Sequence, residues 1–388
     1  MTDAPTATID GVCDPKFTAV REQFAENFAR HNEIGAGVTL YVGGRKVVDL
    51  WGGWADRART RLWAEDTLVN FYSIGKAMTA TCVLRAVQQG LLDLDAPVAS
   101  VWPEFAQADK GDITLRQLMS HSGGLPAIGL PLLPEGAALD WDTMAGRLAA
   151  QKPWWEPGTA HGYHTNTFGY LLGEPLRRVT GKSVGAFLRD DVAGPLGADI
   201  FIGLPKSEHG RVADFCHALR PAPTPGDPPP QAPRPPATHD ELMRACCYNN
   251  PPGVSGSVGW VNTEAWRLGE VPSTNGHGTA RGVARVYQGL LEGLIEADVL
   301  GEATTEHAAG LDKILERPSR FGLGYQLTQV ERPLGPNPRA FGHFGAGGSL
   351  GFCDPDAGVA FAYVMNDMGP RWQNPRNGGL IQAIYRSL

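Results

Sequence analysis

The 388-residue chain is 42% hydrophobic, which is enough to bury a large core in one large or two medium domains. A formal net charge of −7, a pI near 5.8 and no block of like charge exclude the electrostatic footprint of a nucleic-acid binder. Six cysteines without a Cys-x-x-Cys pair exclude a disulfide framework and a cysteine metal site. The first 14 residues lack the basic, then apolar, pattern of a secretory signal, and no segment is apolar for long enough to span a bilayer. The sequence therefore predicts a cytoplasmic protein with free thiols and with neither nucleic acid nor membrane as partner; its oligomeric state is not legible.

Residues 15–31 read as an amphipathic helix with Phe17, Val20, Phe24 and Phe28 on one side. Residues 36–42 and 46–51 read as strands joined at Gly43-Gly44-Arg45, where glycine supplies the positive φ of a tight hairpin. Ser73-Ile74-Gly75-Lys76 then opens a helix in which Ala77, Ala80, Leu84, Val87 and Leu91 recur at spacings of three and four, the period of one buried face. From residue 92 to about 280 the texture is short helices and loops. Helices are expected within 113–126, behind a threonine cap, and at 144–150 and 167–180. The run 220–236, RPAPTPGDPPPQAPRPP, cannot form regular structure and reads as a surface loop in preference to a polyproline ligand. A helix at 279–292 precedes strands at 324–330, 340–344, 350–353 and 359–365, with a turn at 354–358, and residues 379–388 close the chain as a helix. The pattern predicts an α+β fold. Residues 1–91 and 281–388 would form a sheet domain, residues 92–280 an inserted helical domain, with the active site at their interface.

Ser-x-x-Lys carries chemistry because a serine hydroxyl needs a base, and a desolvated lysine one helical turn on can supply it. A helix N-terminus adds N–H groups where an oxyanion would form. The bland alternative is an N-cap serine followed by a solvated lysine. Two Gly-x-Ser-x-Gly strings, around Ser183 and Ser349, mimic a nucleophile elbow but lack its strand-to-helix context. His161 and His164 have no third ligand at metal spacing, so no metal or other cofactor is expected. Cys246-Cys247, Trp154 and Trp155 read as packing residues, although one tryptophan could wall an acyl pocket.

Five blocks in order, FYSIGKAMTA, ITLRQLMSHSGGLP, PGTAHGYHTNTFGYLLGE, NGHGTARGVARVY and FGHFGAGGSLGF, resemble the serine β-lactamase and penicillin-recognising fold. More closely, they resemble the class C β-lactamase-related esterases, the family VIII carboxylesterases, over roughly residues 17–384. The resemblance implies a catalytic tyrosine at Tyr163. Thr165 stands where the family has asparagine, with Asn166 one place on, and the literal Tyr-x-Asn at Tyr248 lacks the family flanks. His343-Phe344-Gly345 replaces the Lys-Thr-Gly motif. Gly345 would let substrate approach the backbone, and the Ala346 and Ser73 N–H groups would form an oxyanion hole. Histidine and phenylalanine hold a carboxylate less well than lysine and threonine, so an uncharged ester is expected. Tyr72, His164, Asn166, His277, His343 and Phe344 are the further substrate-binding candidates. The implied function is hydrolysis of a small carboxylic ester through a Ser73 acyl-enzyme, with Lys76 and Tyr163 as general base and acid in an order left open. Alternatives on the same site are a β-lactamase, a D-aminopeptidase or DD-peptidase-like hydrolase, and an acyltransferase; outside enzymes, an inactive binding protein.

Overall fold

The computed structural model describes residues 7–216, 235–254, 260–370 and 372–388. Most of the proline-rich run, 220–234, lies outside the described residues. The strands are β1 (Ile9–Cys13), β2 (Gly35–Val42), β3 (Arg45–Gly53), β4 (Val69–Asn70), β5 (Ile200–Phe201), β6 (His277–Gly278), β7 (Ala308–Leu311), β8 (Pro318–Phe321), β9 (Gln326–Leu327), β10 (Phe341–Phe344), β11 (Leu350–Asp354) and β12 (Val359–Met365). Nine of them form one antiparallel sheet in the order β1-β3-β2-β12-β11-β10-β9-β8-β7, and β4-β6-β5 form a second, small one. The large sheet is thus built from both ends of the chain, with most helices between, an α+β architecture.

Local chemistry sets the register. Gly43 (φ 56°) and Gly44 (φ 78°) make the left-handed turn that matches strand twist, so β2 and β3 pair directly. β12 joins the two chain ends, pairing Val359 with Val42 through Met365 with Ala36 on one side and Leu350 with Tyr363 on the other. All seven of its residues are buried, as a strand covered on both faces requires. The alternation of side chains shows what covers each face. Gly37 lies against Ala280, and Trp51, its partner across β2 and β3, sits 5.9 Å under the Arg281 guanidinium. The helix Ala280–Leu291 therefore covers that face. Tyr363, out of phase with Gly37, instead bonds Glu33, which is 3.2 Å from Arg376 at the start of the helix Pro375–Ser387. That face is closed by the terminal helices Thr18–Arg30 and Pro375–Ser387, which pack together.

Several expectations need correction. The Ser73 helix, Ile74–Gln88, buries twelve residues around its whole circumference, and Leu91 lies beyond its end, 43% exposed. The expected strand 324–330 shrinks to Gln326–Leu327, because Gly324 (φ 81°) turns the backbone so tightly against the Ser73 helix that a Cβ there would lie 2.2 Å from the Ala80 Cβ. The last helix starts at Pro375, earlier than residue 379, since Asn374 and Asn377 form a reciprocal cap and proline fits the first turn. The helix His239–Asn249, which carries Cys246, Cys247 and Tyr248, was not anticipated.

Candidate active site

Ser73 follows a strained turn. Tyr72 has φ 52°, a left-handed conformation that costs a non-glycine residue roughly 1–2 kcal/mol. Burial of its ring, edge-on to Phe215 at 4.8 Å, holds it there. Ser73 sits at the helix N-terminus with helical φ/ψ and makes no side-chain cap bond, so its hydroxyl is not spent on capping. The bland reading fails at Lys76 too, which is 0% exposed.

Lys76 Nζ lies 3.2 Å from Ser73 Oγ, 3.0 Å from the carbonyl of Ser273, to which it donates, and 4.7 Å from the Tyr163 ring centroid. No carboxylate pairs with it among the described residues. Burial without a counter-charge disfavours the ammonium and pushes its pKa well below the ordinary lysine value. Burial pushes the Tyr163 phenol well above its ordinary value, an effect that the approach of Ser73 only partly offsets. Lys76, the nearest basic group to the ring, does not offset this, because burial disfavours its own charged form. The Tyr163 hydroxyl makes no hydrogen bond of full geometry among the described residues.

Ser73, Tyr163 and Ala346 line one cavity of about 470 Å³, with Tyr72, Thr165, Asn166, Tyr248, Thr274, Arg317 and Trp372 also in its wall. A larger hollow of about 560 Å³ lies by residues 87–101, but its lining contains no nucleophile beside a base. Size does not select the site.

The remaining candidates divide. Tyr72 and Asn166 face the cavity, and Asn166 donates to the Cys247 carbonyl at 3.1 Å. His164 does not face it. Its Nε2 accepts from Leu125 N at 3.1 Å and its Nδ1 donates to Gly162 O at 2.7 Å, which fixes the tautomer, and burial holds its pKa down at about 3. His277 belongs to β6, and its flanking glycines grip Phe71: a Cβ on Gly276 would lie 2.1 Å from that ring. His343 is 0% exposed, bonds the Phe344 carbonyl through Nδ1 and stands 6.0 Å from the Tyr163 ring, behind the cavity wall. Phe344, on the alternate face of β10, points to a separate hollow near Gln326. Gly345 is required by packing: a Cβ there would lie 2.0 Å from Ser349 Oγ and 2.4 Å from the Phe71 carbonyl. Ser349 donates to that carbonyl at 2.9 Å, and Ser183 caps a helix and bonds Glu270 at 2.6 Å, so both decoy serines have structural partners. Neither Trp154 nor Trp155 walls the cavity; they bond the Ala127 and Ser122 carbonyls. His161 bonds Ser319 at 2.8 Å.

Three contributions escaped sequence reasoning. The Ser273 carbonyl anchors Lys76, and a buried Asp312 takes the Tyr163 N–H at 3.0 and 3.1 Å on its two oxygens, fixing the loop that presents the phenol. His121 (φ 63°) accepts from His164 N at 3.1 Å and pins the same loop. The ITLRQLMSHSGGLP block contains His121, but nothing local marks its role.

The Beta-lactamase family profile matches residues 20–386. The chain is 35% identical to "Esterase/beta-lactamase LipL" of Mycobacterium tuberculosis (strain ATCC 25618 / H37Rv), covering 94% of this chain and 85% of that protein. It superposes on "Crystal structure of a family VIII carboxylesterase" with a TM-score of 0.89 at 41% identity, over 98% of this chain and 100% of that one. It superposes on a penicillin-binding protein homologue from Caulobacter crescentus with a TM-score of 0.87 at 40% identity, over 98% and 100%. With the buried Ser73–Lys76 pair in place, these matches make the chain a member of the β-lactamase family of serine hydrolases.

Proposed function

We propose that the protein is a serine esterase acting on small carboxylic esters, and that Ser73, Lys76 and Tyr163 carry the reaction. The observation that carries this reading is the buried Lys76, which lies 3.2 Å from Ser73 Oγ and has no carboxylate partner among the described residues. A neutral amine has the lone pair that a first base needs, whereas a phenol held well above its ordinary pKa keeps its proton. Lys76 therefore takes the Ser73 proton as Oγ attacks the carbonyl, and the Ser73 and Ala346 N–H groups hold the oxyanion. Tyr163 gives its proton to the departing alkoxide and regains one from Lys76. Water releases the acyl group by the reverse sequence. The reading includes a sheet domain of residues 1–91 and 281–388 and a helical domain of residues 92–280; Ser73, Arg317, Ala346 and Trp372 would come from the first, and Tyr163, Thr165, Asn166 and Tyr248 from the second. It also includes a cytoplasmic setting, supported by six free cysteines. Turnover of p-nitrophenyl butyrate and of a chromogenic cephalosporin by wild type and Ser73→Ala tests it. Ester turnover should dominate and vanish in the variant; equal turnover in both proteins sinks the Ser73 assignment, and a preference for the cephalosporin overturns the esterase reading.

A further inference from the structure

Among the described residues, Arg317 is the one charged side chain lining the Ser73 cavity. Its guanidinium stacks 4.9 Å over the Trp372 ring, and Trp372 meets Tyr163 edge-on at 5.0 Å and 70°. The cation thus leads by one indole to the phenol. No carboxylate neutralises it among the described residues. Glu316, its chain neighbour, pairs with Arg244 at 3.3 Å. The oxygens of Asp312 are taken by the N–H groups of Tyr163, Ile314 and Leu315 and by the Ser319 hydroxyl. Glu331 shares a neighbouring hollow with Arg317 and Arg332 but forms no ion pair with either among the described residues. Arg317 Nε is buried without an acceptor among the described residues. The unbalanced charge is felt nearby: burial, reinforced by Arg317, pushes the Arg332 pKa down to about 10. A guanidinium held over an aromatic ring, with Nε short of an acceptor and the side chain lining a cavity, is suited to carboxylate recognition.

We propose that Arg317, stacked on Trp372, recognises an anionic group, and that esters carrying a free carboxylate away from the scissile bond are the preferred substrates. This rests on the serine-esterase reading and revises the expectation of an uncharged ester: anion recognition is lost at His343 and Phe344 and supplied instead by Arg317 in the cavity lining.

The test compares matched esters, one anionic and one neutral. On the acyl side these are monoethyl succinate, adipate and suberate against ethyl butyrate, hexanoate and octanoate; on the alcohol side, 4-acetoxybenzoate against 4-methylphenyl acetate. Wild type should favour the anionic member of at least one pair by roughly tenfold or more in kcat/KM, the size of a hydrogen bond to a charged group. In Arg317→Gln that ratio should fall toward one, and Arg317→Lys should restore part of it. A ratio near one in wild type for every pair, or a preference untouched in Arg317→Gln, overturns the proposal. Calorimetric binding of the same pairs to Ser73→Ala gives a readout without turnover. The anionic member should bind more tightly there, and the difference should disappear in Ser73→Ala/Arg317→Gln; equal binding overturns the proposal. Loss of turnover with selective binding retained would count against the esterase reading alone.

Discussion

Two of the basic side chains that the protein buries, Arg376 and Lys76, are treated in opposite ways. Arg376 has a side chain only 6% exposed and is surrounded by compensation: Glu33 at 3.2 Å, Asp367 at 2.8 Å, and the carbonyls of His31, Asn32 and Asp367. Lys76 is buried as deeply but meets a hydroxyl, one carbonyl, an aromatic ring and three histidines, His121, His164 and His343, that burial keeps neutral. A guanidinium keeps its charge, so the fold must supply anions; an ammonium can shed its proton, so withholding anions turns it into a base. Pairing separates Arg376 from Lys76, and the neighbouring hydroxyl separates Lys76 from Lys110, which is equally buried but donates only to the Gln107 and Ala149 carbonyls.

The sharpest way to break this contrast is to place a permanent charge at the reactive position. Lys76→Arg should lower kcat/KM for a neutral ester roughly a thousandfold or more at every pH, because a guanidinium cannot accept the Ser73 proton. Recovery of activity at high pH would show that Lys76 is not the base. The next effect is on stability. Arg376→Met strands the buried Glu33 and should cost about 3–5 kcal/mol in urea unfolding, while Lys76→Met removes a desolvated amine and should raise stability by about 1 kcal/mol as activity is lost. Shifts of the same sign in the two variants would erase the distinction.

The pH dependence sharpens it further. The neutral amine is the active form, so kcat/KM should rise with pH and level off well below the ordinary lysine value of 10.5. A midpoint at the ordinary value would contradict the desolvation argument. Stability follows the same sign. A basic group whose folded pKa is depressed stabilises above its unfolded value and loses that contribution as pH falls through the folded one. For His164 and His343, held at about 3, the loss should run from about pH 6.5 downward and appear as a falling urea midpoint. The smallest effect concerns a decoy. Ser183→Ala removes a helix cap and a bond to Glu270 and should cost about 1 kcal/mol, with ester turnover per folded molecule unchanged. Loss of turnover there would reopen the elbow reading.

The sequence made Ser73 and Lys76 legible because the two lie one helical turn apart, and it reached Tyr163 only through a family block. It could not reveal the Ser273 carbonyl, because any residue type offers one, nor Asp312, which acts on a loop 149 positions away. Glycines misled in a consistent way. Gly345 reads as an opening for substrate, whereas it leaves room for Ser349 and the Phe71 backbone, just before Ser73. The same cause shortened the strand at Gly324. The two-residue strands β4, β5 and β6 carry no period at all. Small residues signal close approach, but only the folded chain says whether the visitor is a ligand or another part of the protein.

The position of β12 between β2 and β11 has a consequence for the order of events in the cell. Synthesis delivers Ser73 early, yet Ala346 can join it only after the strands from residue 308 onward dock onto those before residue 54, and the strand that bridges them runs to Met365. A chain still on the ribosome therefore holds Ser73 beside an unfinished wall. The wall closes only after residue 365 has been made, and such long-range pairing makes this a slow-folding topology.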